Sequence, residues 1–304
     1  MAVVCSCSTK MGNTGTPDCK TLAKTTSMLI AVRKTADDGT TNQIDVTSTL
    51  NQASFDALIQ NSDESKRWYP IGELETVVQE RGESVLQTYD SGRSIKVQDG
   101  QKTFTSVIPE MEYAYLGKLE LFSCQEFGVY IVDIDGNLKG EIDSTGVYLN
   151  PMYVATSSWD VRYKEATDTT ANEIMLNFQF DKKVADSDLR MIVPSEMDNI
   201  NLLDLEGLMD VNGVFSSITT TTVTAALTLD YGSAVTPVIV ENLVFGNIIV
   251  RNTSTLTAYA TSAAPEAPDG TYAVVFATAP SGTYRLELPA NLGYEPIVVG
   301  TFTI

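Results

Sequence analysis

The chain contains 304 residues, of which 39 are acidic and 20 are basic; its net charge is −19 and it contains no histidine. This acidity argues against a protein that binds nucleic acid tightly, because contacts with phosphates require Lys and Arg. The absence of histidine excludes Ser-His-Asp and Cys-His catalysis within the chain and removes the side chain that most often binds metals. We therefore expect a structural protein rather than an enzyme.

The apolar segments of the chain are short, since no stretch approaches the roughly 20 apolar residues that a membrane-spanning helix requires. The N-terminal segment MAVVCSCSTK lacks the basic leader and the apolar core of a signal peptide. We expect a soluble protein that is made inside the cell and does not insert into a membrane.

An irregular segment, a strand and a helix are predicted at the start of the chain. Residues 1–20 are rich in Gly, Ser and Thr and predict an N-terminal arm. Met28–Arg33 is predicted as a strand. Asn51–Asn61 is predicted as a helix, because Asn51 is a good N-cap residue and the apolar residues after it recur at three- and four-residue spacing.

Strands joined by turns are predicted beyond Arg67. Segments separated by Gly-containing turns predict antiparallel hairpins, at Glu75–Arg81, Ser84–Tyr89, Arg93–Val97 and Lys102–Ile108. A second helix is predicted over Glu110–Cys124. Further strands are predicted at Gly128–Ile134, Leu138–Ile142, Val147–Val154, Trp159–Lys164 and Asn172–Phe180. Residues 21–198 are therefore predicted as a mostly β domain with one or two helices.

The last part of the chain has a different composition. Residues 199–304 hold only two basic side chains, Arg251 and Arg285, against nine acidic ones, and are rich in the strand formers Thr and Val. This change predicts a second domain over residues 199–304. Its strands are predicted at Gly213–Ile218, Thr222–Asp230, Val238–Val240, Leu243–Arg251, Leu256–Thr261, Gly270–Ala277, Gly282–Leu288 and Ile297–Ile304. Short strands at this spacing predict an immunoglobulin-like β-sandwich.

Four cysteines are the candidate metal ligands. Cys5, Cys7, Cys19 and Cys124 would make a four-thiolate zinc site, although their spacing matches no common zinc knuckle. Disulfides formed in an oxidising medium and free, partly buried thiols are the alternatives. No cofactor is predicted.

The segment Asp133–Asn137 superficially resembles a calcium loop. An EF-hand loop places Gly at its sixth position and Glu at its twelfth, whereas Gly136 stands fourth here between two predicted strands. A hairpin turn is therefore predicted. The chain contains neither a G-x-S-x-G elbow nor a P-loop. A glycosidase-like carboxylate pair is the enzymatic alternative, but any pair chosen among so many acids is a coincidence.

Several short segments resemble virion proteins of tailed bacteriophages, and most closely those of the tail tube type. The resemblance is carried by Arg67–Pro70, Gly72–Glu75, Tyr89–Arg93 and Phe127–Asp133, and it covers residues 28–181. It implies that residues 21–198 form a β-sandwich or barrel with a flanking helix and a long hairpin loop, followed by an immunoglobulin-like domain. The implied function is a major tail tube protein, located in the virion tail and assembled in the host cytoplasm.

The partners that the resemblance implies are other copies of the chain, arranged in stacked hexameric rings, together with other virion proteins. DNA would pass through the rings without tight binding, because an acidic lumen repels phosphates over about 8–10 Å at physiological salt. The residues proposed to face the lumen are the acids of the hairpin region, Glu73, Glu75, Glu80, Glu83, Asp90 and Asp99.

Two other roles fit the same composition. The chain is alternatively a head-decoration or tail-terminator protein of the virion. The second domain is alternatively a module that binds host-surface glycans or proteins, and its available aromatic residues are Tyr231, Phe245, Tyr259 and Tyr294. The remaining conspicuous aromatics, Trp68, Tyr69 and Trp159, are predicted to lie in a β core.

Overall fold

The computed structural model describes residues 21–263, 266–267 and 270–304. The predicted mainly β fold is confirmed, since the described residues form many strands and two short α-helices. The elements of the first domain are β1 (Thr26–Arg33), β2 (Ile44–Asp45), α1 (Gln52–Ile59), β3 (Trp68–Ile71), β4 (Glu75–Arg81), β5 (Val85–Thr88), β6 (Ser94–Gln98), β7 (Lys102–Pro109), α2 (Tyr113–Glu120), β8 (Phe127–Asp133), β9 (Leu138–Ile142), β10 (Tyr148–Asn150), β11 (Met152–Tyr153), β12 (Asp160–Lys164), β13 (Glu173–Gln179) and β14 (Leu189–Ile192).

The central layer of this domain is an eight-stranded sheet with the order β2-β10-β9-β8-β1-β3, to which β11 and β14 add at β8 and β9. Strands β1 and β8 are buried on both faces because each face packs on a separate core. On one face, Ile30 and Val32 pack with Phe55 of α1. On the other face, Leu29 and Ala31 pack towards the second sheet.

The second sheet of the first domain has the order β12-β13-β7-β4. Strand β7 alternates strictly between buried and half-buried residues, so one face of this sheet is apolar. Phe104 and Ile108 from β7 and Leu176 and Phe178 from β13 form that inner face. The first domain is thus a sandwich of two sheets with α1 on its far side.

Helix α1 forms where the sequence predicted it. The Asn51 side chain accepts a hydrogen bond from the Ser54 backbone N–H, and the Ser54 Oγ accepts one from the Asn51 backbone N–H. This capping box satisfies two helix-end donors. Phe55 and Ile59 are the buried residues of the helix.

Helix α2 is shorter than the predicted Glu110–Cys124. Glu110 has a φ of 55°, which is left-handed, and the helix therefore begins only at Tyr113. A 3₁₀ turn over Leu121–Cys124 continues it. Neither α-helix of the described residues has the length and apolar character needed to cross a bilayer.

The second domain is built from β15 (Val211–Ser216), β16 (Thr222–Gly232), β17 (Pro237–Ile239), β18 (Ile249–Asn252), β19 (Ala258–Ala263), β20 (Glu266–Ala267), β21 (Thr271–Phe276), β22 (Thr283–Glu287) and β23 (Phe302–Thr303). The strand predicted at Leu243–Arg251 is mostly wrong. Asn247 donates its backbone N–H to the Val244 carbonyl and accepts the Val244 N–H on its side chain, which makes a turn there.

The strands of the second domain form a sandwich-like sheet with the order β15-β16-β21-β19-β18-β22-β23. Residues 293–299 form hydrogen bonds both with β15 and with the residue that follows β22. Leu288 donates to the Pro296 carbonyl at 2.8 Å, and Gly213 donates to the Val299 carbonyl at 2.9 Å. These bonds cover edges that strands β15 and β22 would otherwise expose.

The two cores divide between Leu205 and Val211. Ile200, Leu202 and Leu205 pack into the core of the first domain, whereas Val211 belongs to the core of the second. The sequence predicted the boundary after residue 198, where the composition changes.

Charged side chains join the two domains. The guanidinium of Arg67 forms a two-point ion pair with Glu295, and both side chains are largely buried. Lys118 of α2 contacts Asp210 at 2.7 Å and Asp230 at 3.3 Å. The second domain is therefore held against the first at two separate points.

Candidate functional site

The most distinctive surface feature is a β-arm, which we define as residues 82–101. Strands β4 and β7 pair within the second sheet, and the chain between them continues outward as the pair β5–β6. Every residue of β5 and β6 is exposed. The arm reverses at a turn in which Gly92 has a φ of 79° and donates to the Tyr89 carbonyl at 2.8 Å.

The base of the arm is a close backbone contact. A Cβ atom on Gly100 would lie 1.7 Å from the Gly82 carbonyl oxygen, so a larger residue cannot occupy this position without moving the chain. Gly82 itself donates its N–H to the Gln101 carbonyl at 2.9 Å. Glycine at position 100 thus allows the two strands to come together before they leave the sheet.

Apolar side chains lie on both faces of the arm, since Leu86 is opposite Lys96 on the face away from Ile95 and Val97. Gln87 lies opposite Ile95, and two-residue alternation places Tyr89 and Val97 on that same side. Large apolar side chains are exposed along the arm, with exposed fractions of 61% for Val97 and 59% for Leu86. An isolated two-stranded ribbon is marginally stable in water. The arm therefore presents apolar surface that nothing in the described chain covers.

An ion-pair cluster anchors the base of the arm to the body of the domain. Arg81 and Lys102 are opposite each other in the β4–β7 ladder, and each contacts the Asp186 carboxylate at 2.5 Å. The contact with Lys102 holds the pKa of Asp186 below its usual value. This cluster borders a cleft of about 200 Å³ at the base of the arm. Because one carboxylate contacts both strands at the base, the cluster holds the arm in a fixed direction relative to the domain.

Two of the proposed lumen acids share one face of the second sheet. Glu75 is paired with Val107 and Glu80 with Thr103, both on the outer side of β7. Their sequence separation is odd, so regular alternation would place them on opposite faces. A register shift between Glu75 and Val78, where Thr76 has a φ of 50°, brings them to the same side.

The other four acids are also exposed but lie elsewhere. Glu73 precedes β4 with a φ of 57°, so its two-residue spacing from Glu75 does not place both on one face. Glu83 and Asp90 belong to the connections of the arm. Asp99 forms an ion pair with Lys96, which lowers its pKa.

The outer face of the second sheet is mixed beyond these acids. Its positions, read from the register, include the polar residues Thr103, Thr105, Asn177 and Gln179 and the apolar residues Val78, Val107 and Met175. Ion pairs occupy its far edge, where Arg162 meets Asp160 and Lys164 meets Glu173. Glu75 and Glu80 therefore supply the excess negative charge on this face.

The predicted cysteine cluster lies almost wholly outside the described residues. Cys5, Cys7 and Cys19 fall there, and Cys124 is an exposed free thiol at the end of the 3₁₀ turn. Within the part of the chain that the structure describes, no three Cys, Asp or Glu residues are grouped to hold a metal ion.

The segment Asp133–Asn137 is a hairpin turn between β8 and β9, as predicted. The buried Asp133 carboxylate accepts the backbone N–H groups of Lys24, Asp135 and Asn137 and the Asn137 side-chain amide. Burial opposes its ionisation, but these hydrogen bonds hold its pKa below the usual value. Its oxygen atoms serve the turn, so they are not arranged around a cation site.

The aromatic candidates are mostly core residues. Trp68 and Trp159 are buried, and Trp159 donates its indole N–H to the Leu119 carbonyl at 2.8 Å. Tyr231, Tyr259 and Tyr294 are partly buried against the core of the second domain. The side chain of Phe245 lies outside the described part. These three tyrosines of the second domain are therefore packed as core residues rather than presented for stacking on glycans.

The sequence analysis identified the arm as a hairpin but missed its apolar surface and its anchor, Asp186. The apolar residues of β5 and β6 gave the only available signal, and a sequence does not show whether such residues are covered in the fold. Asp186 lies more than eighty residues from Lys102 in the chain, so no local pattern indicates their contact.

Comparison with known proteins gives no relative. No protein-family model, no curated protein and no solved structure matches this chain.

Proposed function

We propose that this chain is a virion structural protein of the tail tube type, which assembles into stacked rings around a DNA conduit. The observation that carries the proposal is the β-arm, whose exposed apolar residues are uncovered in a single chain. Burial of apolar surface is the main driving force of association. A second copy supplies such a surface at every position of a ring or stack.

The second sheet offers a way to close a ring. Its outer strands within the described residues are β4 and β12. If β4 of one copy pairs with β12 of the next, the open edges disappear and the sheets become a continuous barrel. The inner faces of these sheets remain covered by the first-domain core, so their outer faces, which carry Glu75 and Glu80, line the conduit.

The charge of that face suits the passage of DNA. Glu75 and Glu80 repeat in every subunit, and low-dielectric walls focus their field. The field repels DNA phosphates, so the genome moves without being held.

Electron microscopy of the purified protein with charge variants of the arm tests this proposal. The wild-type chain is expected to form rings or tubes. The double variant Leu86→Lys, Val97→Lys is expected to remain dispersed, because each subunit would bury two unpaired cations. Ala234→Lys with Val235→Lys is the matched control, since it also adds two cations, at exposed positions of a hairpin tip in the second domain, where Val235 is 92% exposed. Dispersed wild-type monomers at all protein and salt concentrations, or normal assembly of the arm variant, would contradict the proposal.

The lumen assignment has its own test. Glu75→Lys with Glu80→Lys is expected to leave assembly intact and to slow DNA ejection from reconstituted particles, more strongly at low salt. Asp204→Lys with Glu206→Lys changes the net charge equally at exposed positions outside the sheet. Normal ejection with the first pair, or equal slowing with both pairs, would refute a lumenal position while leaving the assembly proposal standing.

A further inference from the structure

The cleft at the base of the β-arm has a wall that is rich in cations, although the chain as a whole is acidic. Arg81, Lys102 and Lys182 all contribute to this wall, together with the side-chain amides of Gln98 and Gln101. The cleft has a volume of about 200 Å³. A protein cavity of roughly 150 Å³ holds benzene, which has six heavy atoms. The cleft is therefore large enough for a small polyatomic ligand.

One carboxylate serves two of these cations. Asp186 contacts both Arg81 and Lys102 at 2.5 Å, so two positive charges share one negative charge. Lys182 is an exposed residue of the same wall. The cations of the cleft are therefore not fully neutralised by Asp186.

The two acids of the wall have other donors. Asp99 forms an ion pair with Lys96. Asp181 accepts the backbone N–H of Lys183 at 2.9 Å. Both carboxylates are thus engaged by groups that do not belong to the wall, which lowers their ability to satisfy its cations.

The Lys102 ammonium is buried with most of its N–H groups unsatisfied. Lys102 has an exposed fraction of 9%, and within the described chain its Nζ atom has no hydrogen-bond partner of good geometry. An ammonium carries three N–H donors, and the one Asp186 oxygen at 2.5 Å can take only one of them. At least two donors of a buried cation are therefore left for another acceptor, since unsatisfied donors are costly in a protein interior.

A neighbouring lysine shows that positive charge is in excess here. Lys139 of β9 is half-buried, and its pKa is lowered first by burial and then by the charge of Lys102. The carboxylate of Asp186 opposes this lowering of the pKa without cancelling it. A place where one cation disfavours another is a place where a negatively charged ligand is favoured.

We propose that this cleft binds a small oxyanion of the phosphate or sulfate type. Such an anion accepts several hydrogen bonds at once, which matches a guanidinium, two ammonium groups and two side-chain amides. The wall contains no aromatic ring on which a sugar or a base would stack. The anion would connect both strands at the base of the arm to the segment between β13 and β14, which carries Lys182. We therefore expect bound anion to stabilise the base of the arm.

Calorimetric titration of the full chain with inorganic phosphate tests this proposal, with ionic strength held constant by sodium chloride. We expect saturable binding of one phosphate per chain, and sulfate should compete for the same site. Lys182→Gln should weaken the binding about tenfold, because it removes one charge-assisted hydrogen bond. Lys183→Gln is the matched control, since Lys183 is the adjacent exposed lysine and does not belong to the wall.

Amide hydrogen exchange gives a second readout, at the base of the arm. The Gly82 backbone N–H donates to the Gln101 carbonyl there. Phosphate should slow the exchange of this amide in the wild-type chain and in Lys183→Gln, but not in Lys182→Gln. This readout reports a ligand in the cleft, because phosphate bound elsewhere on the surface would leave the exchange of Gly82 unchanged.

Three results would overturn the proposal: no saturable binding of phosphate, equal weakening by Lys182→Gln and Lys183→Gln, or binding that leaves the exchange of Gly82 unchanged. Tighter binding of a short single-stranded oligonucleotide than of phosphate would assign the cleft to a nucleic-acid backbone and would also overturn it. The outcome does not depend on the proposed function, since binding is measured per chain whether or not the chain forms rings.

Discussion

Two strand pairs of the first domain, β1 with β8 and β5 with β6, have opposite environments. Both pairs contain Val, Ile and Leu, and both are antiparallel ladders with a register shift near one end. Every residue of β8 is buried, whereas every residue of β5 and β6 is exposed. The apolar residues of the first pair stabilise the folded chain. Those of the second pair are available to stabilise an assembly.

The largest expected difference in the free energy of unfolding is between variants of two isoleucines on these strands. Ile30 of β1 is fully buried and Ile95 of β6 is 38% exposed. Ile30→Ala should lower the free energy of unfolding by about 2–5 kcal/mol, because it leaves a cavity in the core. Ile95→Ala should change it by less than about 0.5 kcal/mol. Denaturant unfolding of both variants measures the difference, and similar losses would show that the free arm is packed against the domain.

The next largest loss of stability is expected from a change in the turn after β8, compared with the same change in the turn after β5. Asp133→Asn should cost about 1–3 kcal/mol at neutral pH, since it disrupts hydrogen bonds to buried donors. Asp90→Asn in the exposed turn of the arm is the control. Because the folded-state pKa of Asp133 is lowered, its contribution is complete above the ordinary value near 3.9 and is lost as the pH falls through the folded value. A stability difference between wild type and variant that does not shrink on acidification would contradict this account.

A smaller difference in stability is expected between variants of two tyrosines. Tyr130 of β8 donates its hydroxyl to the Leu149 carbonyl at 2.8 Å in the core. Tyr130→Phe should therefore lower stability by about 1 kcal/mol. Tyr89 is 45% exposed in the arm, and Tyr89→Phe should leave stability unchanged. Equal thermal unfolding of the two variants would argue against a stabilising role for the buried hydroxyl.

The smallest change in the free chain is a difference in amide hydrogen exchange. Amides of β5 and β6 should exchange rapidly, and those of β1 and β8 should be protected up to the stability of the whole domain. In assembled particles the arm amides should also become protected. Arm protection that is already complete in dispersed monomers would contradict an arm that is covered only on assembly.

Local patterns predicted several elements correctly. The helix α1 follows from Asn51, Phe55 and Ile59, because its cap and its buried face are encoded within nine residues. The hairpins around the arm follow from Gly82, Gly92 and Gly100, which permit tight turns and close strand contacts. In each case the residues that determine the structure are neighbours in the sequence.

The start of α2 and the alternation along β4 were predicted less accurately, because each is changed by one residue with an unusual backbone angle. The left-handed Glu110 delays the start of α2, and the conformation of Thr76 breaks the alternation that would separate Glu75 from Glu80. Such angles are disfavoured for residues with side chains, and surrounding contacts impose them. Sequence periodicity cannot reveal them.

The sequence by itself determined the acidic charge, the mainly β class and the positions of most strands, because these depend on composition and on short-range alternation. Only the tertiary structure decided that β8 is buried on both faces, whereas neither face of the β5–β6 pair is covered. It also brought Asp186 to Arg81 and Lys102, and it placed Lys182 in the wall of the same cleft. Burial and charge at these places arise from contacts between residues far apart in the chain, which local sequence patterns do not specify.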